Sequence, residues 1–82
     1  MTIETARTRI NEIDTKLIEL LCERMNLSHT IGRYKKENNL PVFDPAREME
    51  IVARLKAAHP DSKELIEKIY PVIFDLSKKE QK

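Results

Sequence analysis

The chain has 82 residues, of which 40% are hydrophobic, 35% are charged and only 5% are aromatic. Its net charge of +1 gives no reason to expect nucleic acid or an anionic membrane as a partner. One cysteine excludes an internal disulfide, and this cysteine and the two histidines show no metal-ligand spacing. No apolar run is long enough to span a membrane and no signal-peptide pattern opens the chain, so we expect one domain over residues 1–82 that acts in the cytoplasm.

Helices are predicted throughout the chain. One glycine in 82 residues argues against a turn-rich β fold, and four prolines divide the chain into three helical stretches. The first helix is predicted from about Thr2 to about Asn38, with apolar residues alternately three and four positions apart, which is the pattern of a helix–helix seam. The seam residues are Ile3, Ala6, Ile10, Ile13, Leu17, Leu20, Leu27, Ile31 and Tyr34.

This seam predicts that two copies of the chain associate. A helix of ~36 residues is ~54 Å long, and an 82-residue chain that folds alone cannot cover a seam of that length. A short chain without tryptophan also builds little core by itself, and oligomerisation supplies the missing burial. We therefore expect an all-α fold with three helices per chain, a long N-terminal helix and a helical homodimer.

The two later helices are marked by their start signals. Asp44 is the predicted N-cap of the second helix, with Pro45 at its first position, and the helix stops at His59-Pro60. Asp61 and Glu64 resemble a capping box that opens the third helix. Pro71 lies inside the third helix and is expected to kink or divide it.

A cation interrupts the seam, because the heptad step from Leu20 to Leu27 passes through Arg24. An arginine on a helix–helix seam is costly unless an anion meets it. An ion pair within or between chains would explain it, as would a side chain that reaches the edge of the seam. Lys35 lies about 20° beyond three full helical turns from Arg24, so both cations share a face and are able to converge on one bound anion.

Arg7 is placed differently on the same helix. It points about 100° away from Arg24 and lies ~25 Å along the axis, so it reaches the same anion only from another copy of the chain. Simple solvation explains most arginines on long helices equally well.

Other polar residues have ordinary structural explanations. The stretch 44–48 fits a helix start with acidic residues near the positive end of the helix dipole, although Glu48 lies one residue too far from the cap for a capping box. Ser77 and Gln81 share a helix face and, taken alone, are surface residues near the terminus. Cys22 lies off the seam without an activating neighbour, and we expect a buried or half-buried, inert thiol.

In combination, these residues resemble the all-helical class of chorismate mutases. The family pattern has Arg-x-x-Ile on the first helix, a leucine-rich stretch that ends in arginine, then Gly-x-x-Lys, Asp-x-x-Arg-Glu and Ser-x-x-x-Gln. The matching elements here are Arg7-x-x-Ile10-x-x-Ile13-Asp14, Leu20-Leu21-Cys22-Glu23-Arg24, Gly32-Arg33-Tyr34-Lys35, Asp44-Pro45-Ala46-Arg47-Glu48 and Ser77-Lys78-Lys79-Glu80-Gln81. Any one element is unspecific, but all five occur in order and cover nearly the whole chain.

The resemblance implies an intertwined homodimer with two active sites. It also implies the Claisen rearrangement of chorismate to prephenate, on the route to phenylalanine and tyrosine. Such a pericyclic reaction needs no nucleophile, metal or cofactor. The protein has to hold a dianion in a compact, chair-like conformation and stabilise the charge that builds on the breaking ether oxygen.

Four residues match the positions that handle the charged groups of the substrate. Arg24 and the partner subunit's Arg7 match the arginines that bind the two carboxylates, a task suited to bidentate guanidinium groups. Lys35 matches the cation that donates to the ether oxygen and the neighbouring carboxylate. Gln81 matches the second donor to the ether oxygen.

Four further residues match the edge of the pocket. Glu48 matches the acceptor for the ring hydroxyl, and Asp44 contributes beside it through its backbone. Ser77 matches a contact to the ring carboxylate, and Arg47 a supporting charge.

Two other functions compete with this interpretation. An isochorismate-pyruvate lyase has the same fold, but in such relatives an apolar residue tends to replace the glutamate at position 48, so Glu48 favours the mutase. A non-catalytic helical dimer that binds a partner protein is the alternative from another class. Such a dimer has no reason to place Arg24 in its seam.

Overall fold

The computed structural model describes residues 1–82, and they form three α-helices without any β-strand. Helix α1 covers Ile3–Glu37, helix α2 covers Pro45–Ala58 and helix α3 covers Lys63–Gln81. A single 3₁₀ turn, Pro60–Ser62, precedes α3. The predicted all-α architecture with a long N-terminal helix is confirmed.

Both ends of helix α1 lie within one residue of their predicted positions. Thr2 caps its N-terminus, and the side chains and backbone N–H groups of Thr2 and Thr5 form a reciprocal capping box. At the other end, Asn38 donates its backbone N–H to the Tyr34 carbonyl at 3.1 Å. Asn39 then takes a left-handed conformation with φ of 55°, which asparagine tolerates better than most residues and which turns the chain away from the helix axis.

The predicted start of α2 is also confirmed. The Asp44 carboxylate Oδ1 accepts a hydrogen bond from the Arg47 backbone N–H at 3.1 Å, and Pro45 occupies the first helical position. Helix α2 ends where predicted, with the His59 N–H bonded to the Leu55 carbonyl at 2.8 Å.

The predicted start of α3 is wrong. Asp61 lies within the 3₁₀ turn that Pro60 begins, and Ser62 takes the N-cap position without a side-chain cap bond. Helix α3 therefore begins after Asp61, so Asp61 and Glu64 do not form a capping box. Pro71 does not divide α3, which is continuous to Gln81. Pro71 lacks the N–H group that would bond the Glu67 carbonyl, and both residues are exposed to solvent.

Helix α3 holds the molecule together by packing on both other helices. No Cα atom of α1 lies within 8 Å of a Cα atom of α2, so α3 separates them and forms the floor between them. The buried hydrophobic core is small and consists of Ile51 from α2 with Ile66 and Phe74 from α3. Such a core leaves most of the apolar surface of the chain uncovered.

The long seam of α1 is the largest part of that uncovered surface. The molecule measures 54 × 25 × 16 Å, and the large seam side chains are between 46% and 71% exposed. Beside them, an apolar groove of about 670 Å³ runs between α1 and α3 and is lined by Leu17, Leu21 and Leu76 among others. The expected burial of Cys22 is wrong for the single chain, because its thiol side chain is exposed on this groove.

Lys56 of α2 and Glu67 of α3 form an ion pair between the two helices. Lys56 donates a hydrogen bond to the Glu67 carboxylate, and this bond together with the lysine charge lowers the pKa of Glu67. None of the three helices has both the length and the apolar character needed to cross a lipid bilayer.

Candidate active site

A cavity of about 440 Å³ occupies the space between α1 and α2, with α3 as its floor. It exists because α1 and α2 do not pack on each other. Seven of the predicted site residues line it, namely Arg24, Lys35, Asp44, Arg47, Glu48, Ser77 and Gln81. Arg7 does not, because it is exposed near the far end of α1.

Arg24 faces the cavity from α1 without an acidic partner. Its Nη1 donates to the Ser77 hydroxyl at 3.2 Å, and its guanidinium carbon lies 6.0 Å from the centre of the Phe74 ring. Ser77 also shares a hydrogen bond with the Ser28 hydroxyl, and both serines are buried. No carboxylate of the chain lies within ion-pair distance of Arg24, so its charge is available to a bound anion.

Lys35 fixes the orientation of Gln81. The Lys35 ammonium donates to the Val42 carbonyl at 2.9 Å and to the Gln81 side-chain oxygen Oε1 at 2.6 Å. Because an ammonium group only donates, the amide has to present its oxygen to Lys35. The amide nitrogen Nε2 of Gln81 is therefore left as a hydrogen-bond donor beside a second donor, Lys35.

Gly32 allows the last turn of α3 to reach this position. A Cβ atom at Gly32 would lie 2.5 Å from the Gln81 carbonyl oxygen and 2.8 Å from its carbonyl carbon, which no side chain tolerates. The two helix backbones can meet at this position because glycine has no side chain. Backbone contact at Gly32 brings Gln81 to Lys35, one helical turn further along α1.

Helix α2 contributes an acidic wall. Glu48 is half-buried, and its Oε2 lies 3.3 Å from the Lys78 ammonium of α3. Asp44 also lines the cavity, and its carboxylate oxygen Oδ1 is engaged as the helix cap. Arg47 pairs with Glu50 at 2.8 Å on the exposed side of α2, so it lies at the edge of the cavity.

Lys78 is a cavity residue that the sequence motifs did not single out. It stands at an unspecified position of the Ser-x-x-x-Gln element, although it lines the cavity beside Glu48. Helical spacing was the signal that could have found it, because Phe74, Ser77, Lys78 and Gln81 follow the i, i+3, i+4, i+7 pattern of a single helix face.

The charges around the cavity favour an anionic ligand. Four cationic side chains and two carboxylates line it, and one of those carboxylates is already occupied as a helix cap. No histidine or cysteine lines it, and its two serines are hydrogen-bonded to each other. The arrangement is suited to binding an anion and donating hydrogen bonds to it, and neither serine is hydrogen-bonded to a base that would activate it as a nucleophile.

A model of the type II chorismate mutase family matches residues 6–82. The chain belongs to this family. Type II chorismate mutases are isomerases that convert chorismate to prephenate, a step in the biosynthesis of aromatic amino acids, and this chain is such an enzyme.

Individual chorismate mutases are similar to this chain over much of its length. The chorismate mutase of Methanocaldococcus jannaschii is 30% identical over 79 residues, which cover 93% of this chain and 80% of that protein. The bifunctional chorismate mutase/prephenate dehydratase of Buchnera aphidicola subsp. Baizongia pistaciae is 36% identical over 89 residues. That alignment covers all of this chain but only 24% of the bifunctional protein.

A solved structure supports the fold. A conserved hypothetical protein from Pyrococcus furiosus superposes with a TM-score of 0.79 and 35% sequence identity. The superposition covers 100% of this chain and 97% of that protein.

Proposed function

We propose that the cavity between α1 and α2 is the site at which chorismate rearranges to prephenate. The observation that carries this proposal is the position of Arg24 and Lys35. Neither cation has a carboxylate partner in the chain, and both face one cavity together with the Gln81 amide. Two unpaired cations beside a directed hydrogen-bond donor suit a dianion whose ether bond is to be broken.

Three residues have separate roles at the reacting end of the substrate, namely Arg24, Lys35 and Gln81. The guanidinium group of Arg24 binds a carboxylate and holds the substrate in its compact conformation. During the rearrangement one C–O bond breaks and one C–C bond forms, without proton transfer, and negative charge builds on the ether oxygen. Lys35 and the Nε2 group of Gln81 donate hydrogen bonds to that oxygen. These hydrogen bonds stabilise the transition state more than the ground state.

The remaining residues orient the ring. In the proposal, Glu48 accepts a hydrogen bond from the ring hydroxyl, and the Asp44 backbone lies beside it. Ser77 contacts the ring carboxylate, and its bonds to Arg24 and Ser28 support it in that position. Arg47 adds positive charge at the cavity edge.

A homodimer completes the site in this proposal. The exposed seam of α1 and the apolar groove beside it need a second copy of the chain to be covered. On a paired α1, the partner subunit's Arg7 supplies the second arginine for the substrate dianion, since Arg7 and Arg24 of one chain lie ~25 Å apart along the helix. We place this biosynthetic reaction in the cytoplasm.

The test is the loss of chorismate absorbance with purified protein, beside an Arg24→Ala variant, with the products identified. Prephenate formation that is lost in the variant is the expected result. Release of pyruvate from isochorismate, without prephenate from chorismate, would show that the protein is the lyase and not the mutase. Full prephenate formation by Arg24→Ala would place the reaction outside this cavity.

A further inference from the structure

Lys78 is a cation on the cavity wall that the proposed chemistry leaves without a role. It projects from α3, one residue after Ser77, and its side chain is only 27% exposed. Lys79, the next residue, is exposed to solvent and does not line the cavity between α1 and α2. The partial burial of Lys78 therefore reflects specific contacts and not the ordinary solvation of a lysine near a helix end.

Those contacts join three parts of the fold. The Lys78 ammonium lies 3.3 Å from Glu48 Oε2 on α2 and 4.7 Å from the centre of the Phe43 ring in the loop before α2. Asp75, one turn earlier on α3, is 3.6 Å away but 72% exposed, so water competes with that pair. Glu48 is only 26% exposed and is the better-shielded partner.

The ion pair favours the orientation of the Glu48 carboxylate in which Oε2 faces Lys78. A free glutamate side chain samples many rotamers, and fixing it during substrate binding costs entropy. With Oε2 held by Lys78, the other oxygen, Oε1, is left to accept a hydrogen bond. The lysine charge also offsets the Glu48 charge, so the carboxylate does not reduce the attraction of the cavity for a dianion.

We propose that Lys78 is a positioning residue, which holds the Glu48 carboxylate ready to accept the hydroxyl of the substrate ring. This inference rests on the proposed function, in which Glu48 is that acceptor. Lys78 acts through Glu48 and does not itself bind a substrate carboxylate, because its ammonium group is engaged by Glu48 and the Phe43 ring face.

A double-mutant cycle tests this role. Values of kcat/KM for chorismate are measured for Lys78→Met, for Glu48→Gln and for the two combined, with Lys79→Met as the matched control on the same helix. Lys78→Met is expected to lower kcat/KM about fivefold, the upper end for an ion pair of this exposure. In the Glu48→Gln background the same substitution is expected to cause no further loss, since no carboxylate remains to be held.

Charge rescue separates positioning from packing. Lys78→Arg keeps the ion pair and is expected to retain at least about half of the wild-type kcat/KM, whereas a purely structural role for the lysine stem predicts no difference between Met and Arg. Thermal unfolding identifies variants that do not fold, and Lys78→Gln then replaces Lys78→Met in the cycle.

The outcomes separate this inference from the proposed function. Equal losses from Lys78→Met in both backgrounds, or no loss in the wild-type background, overturn the positioning role. Loss of turnover in Arg24→Ala alongside full activity in Lys78→Met overturns this inference alone. Full turnover in Arg24→Ala overturns the proposed site and, with it, the role of Lys78.

Discussion

Gly32 and Gln81 are in backbone contact, and this contact sets the position of the Gln81 side chain in the cavity. A Cβ atom on Gly32 would lie 2.5 Å from the Gln81 carbonyl oxygen, so only glycine allows the last turn of α3 to lie this close to α1. Lys35, three residues after Gly32, is then within 2.6 Å of the Gln81 side chain.

Gly32→Ala is therefore expected to reduce turnover by about ten- to a hundredfold, because the last turn of α3 has to move and Gln81 loses its place as a donor. The measurement is kcat for prephenate formation, together with the melting temperature. Alanine favours a helix interior over glycine by up to about 1 kcal/mol. A higher melting temperature with unchanged kcat would show that the close approach does not matter.

Gln81→Glu is expected to make the reaction acid-dependent. The wild-type amide donates at any pH, so its rate should not climb below pH 6. A carboxyl group donates only when it is protonated, and its ionised form repels the developing charge on the ether oxygen. The activity of Gln81→Glu should therefore rise as the pH falls.

Profiles of kcat against pH for both proteins check this, and Gln81→Ala, which lacks a donor at every pH, is the control. Gln81→Ala is expected to lose about a hundred- to a thousandfold in kcat throughout. A wild-type rate that rises steeply below pH 6 would contradict the role given to the amide.

Leu17→Lys is expected to abolish both dimerisation and activity, although Leu17 does not line the cavity. Its side chain is 50% exposed on the seam of α1, where a lysine would bury a charge against a second chain. Glu19→Lys is the matched control, because position 19 is about 200° around the helix from position 17.

Analytical ultracentrifugation gives the mass, and chorismate turnover gives the activity. The control should remain a dimer with wild-type kcat. A monomeric Leu17→Lys variant with full activity would show that the active site does not require a second copy of the chain.

The sequence was most informative where the contacts follow helical spacing or local caps. The seam of α1, the cap at Asp44 and the shared face of Arg24 and Lys35 all follow from positions along one helix. Asp61 shows the limit of local signals, because Pro60 begins a 3₁₀ turn and delays the helix beyond the expected cap. The sequence around Pro60 does not show whether this proline begins a 3₁₀ turn or an α-helix, because that choice depends on how the segment packs on the rest of the chain.

Lys78 could not be assigned for a different reason. Its partners, Glu48 and Phe43, come from distant parts of the sequence and meet it only through the packing of α3 on α2. A lysine near the end of a helix is ordinarily solvated, and the helical face it shares with Ser77 and Gln81 becomes informative only when a cavity is known to lie on that side.

Mixed dimers give the sharpest test of a shared active site. Arg7→Ala and Arg24→Ala are each expected to lose nearly all activity, because every site in either homodimer lacks one arginine. When the two variants are unfolded together and refolded, half of the dimers should contain one chain of each kind. In such a heterodimer, one site carries both substitutions and the other carries neither.

Mixing should therefore restore about a quarter of the wild-type activity per total chain, from one intact site in half of the dimers. Separate refolding of each variant is the control and should restore none. If mixed dimers form, as native mass spectrometry would show, and turnover does not return, then Arg7 does not act across the interface.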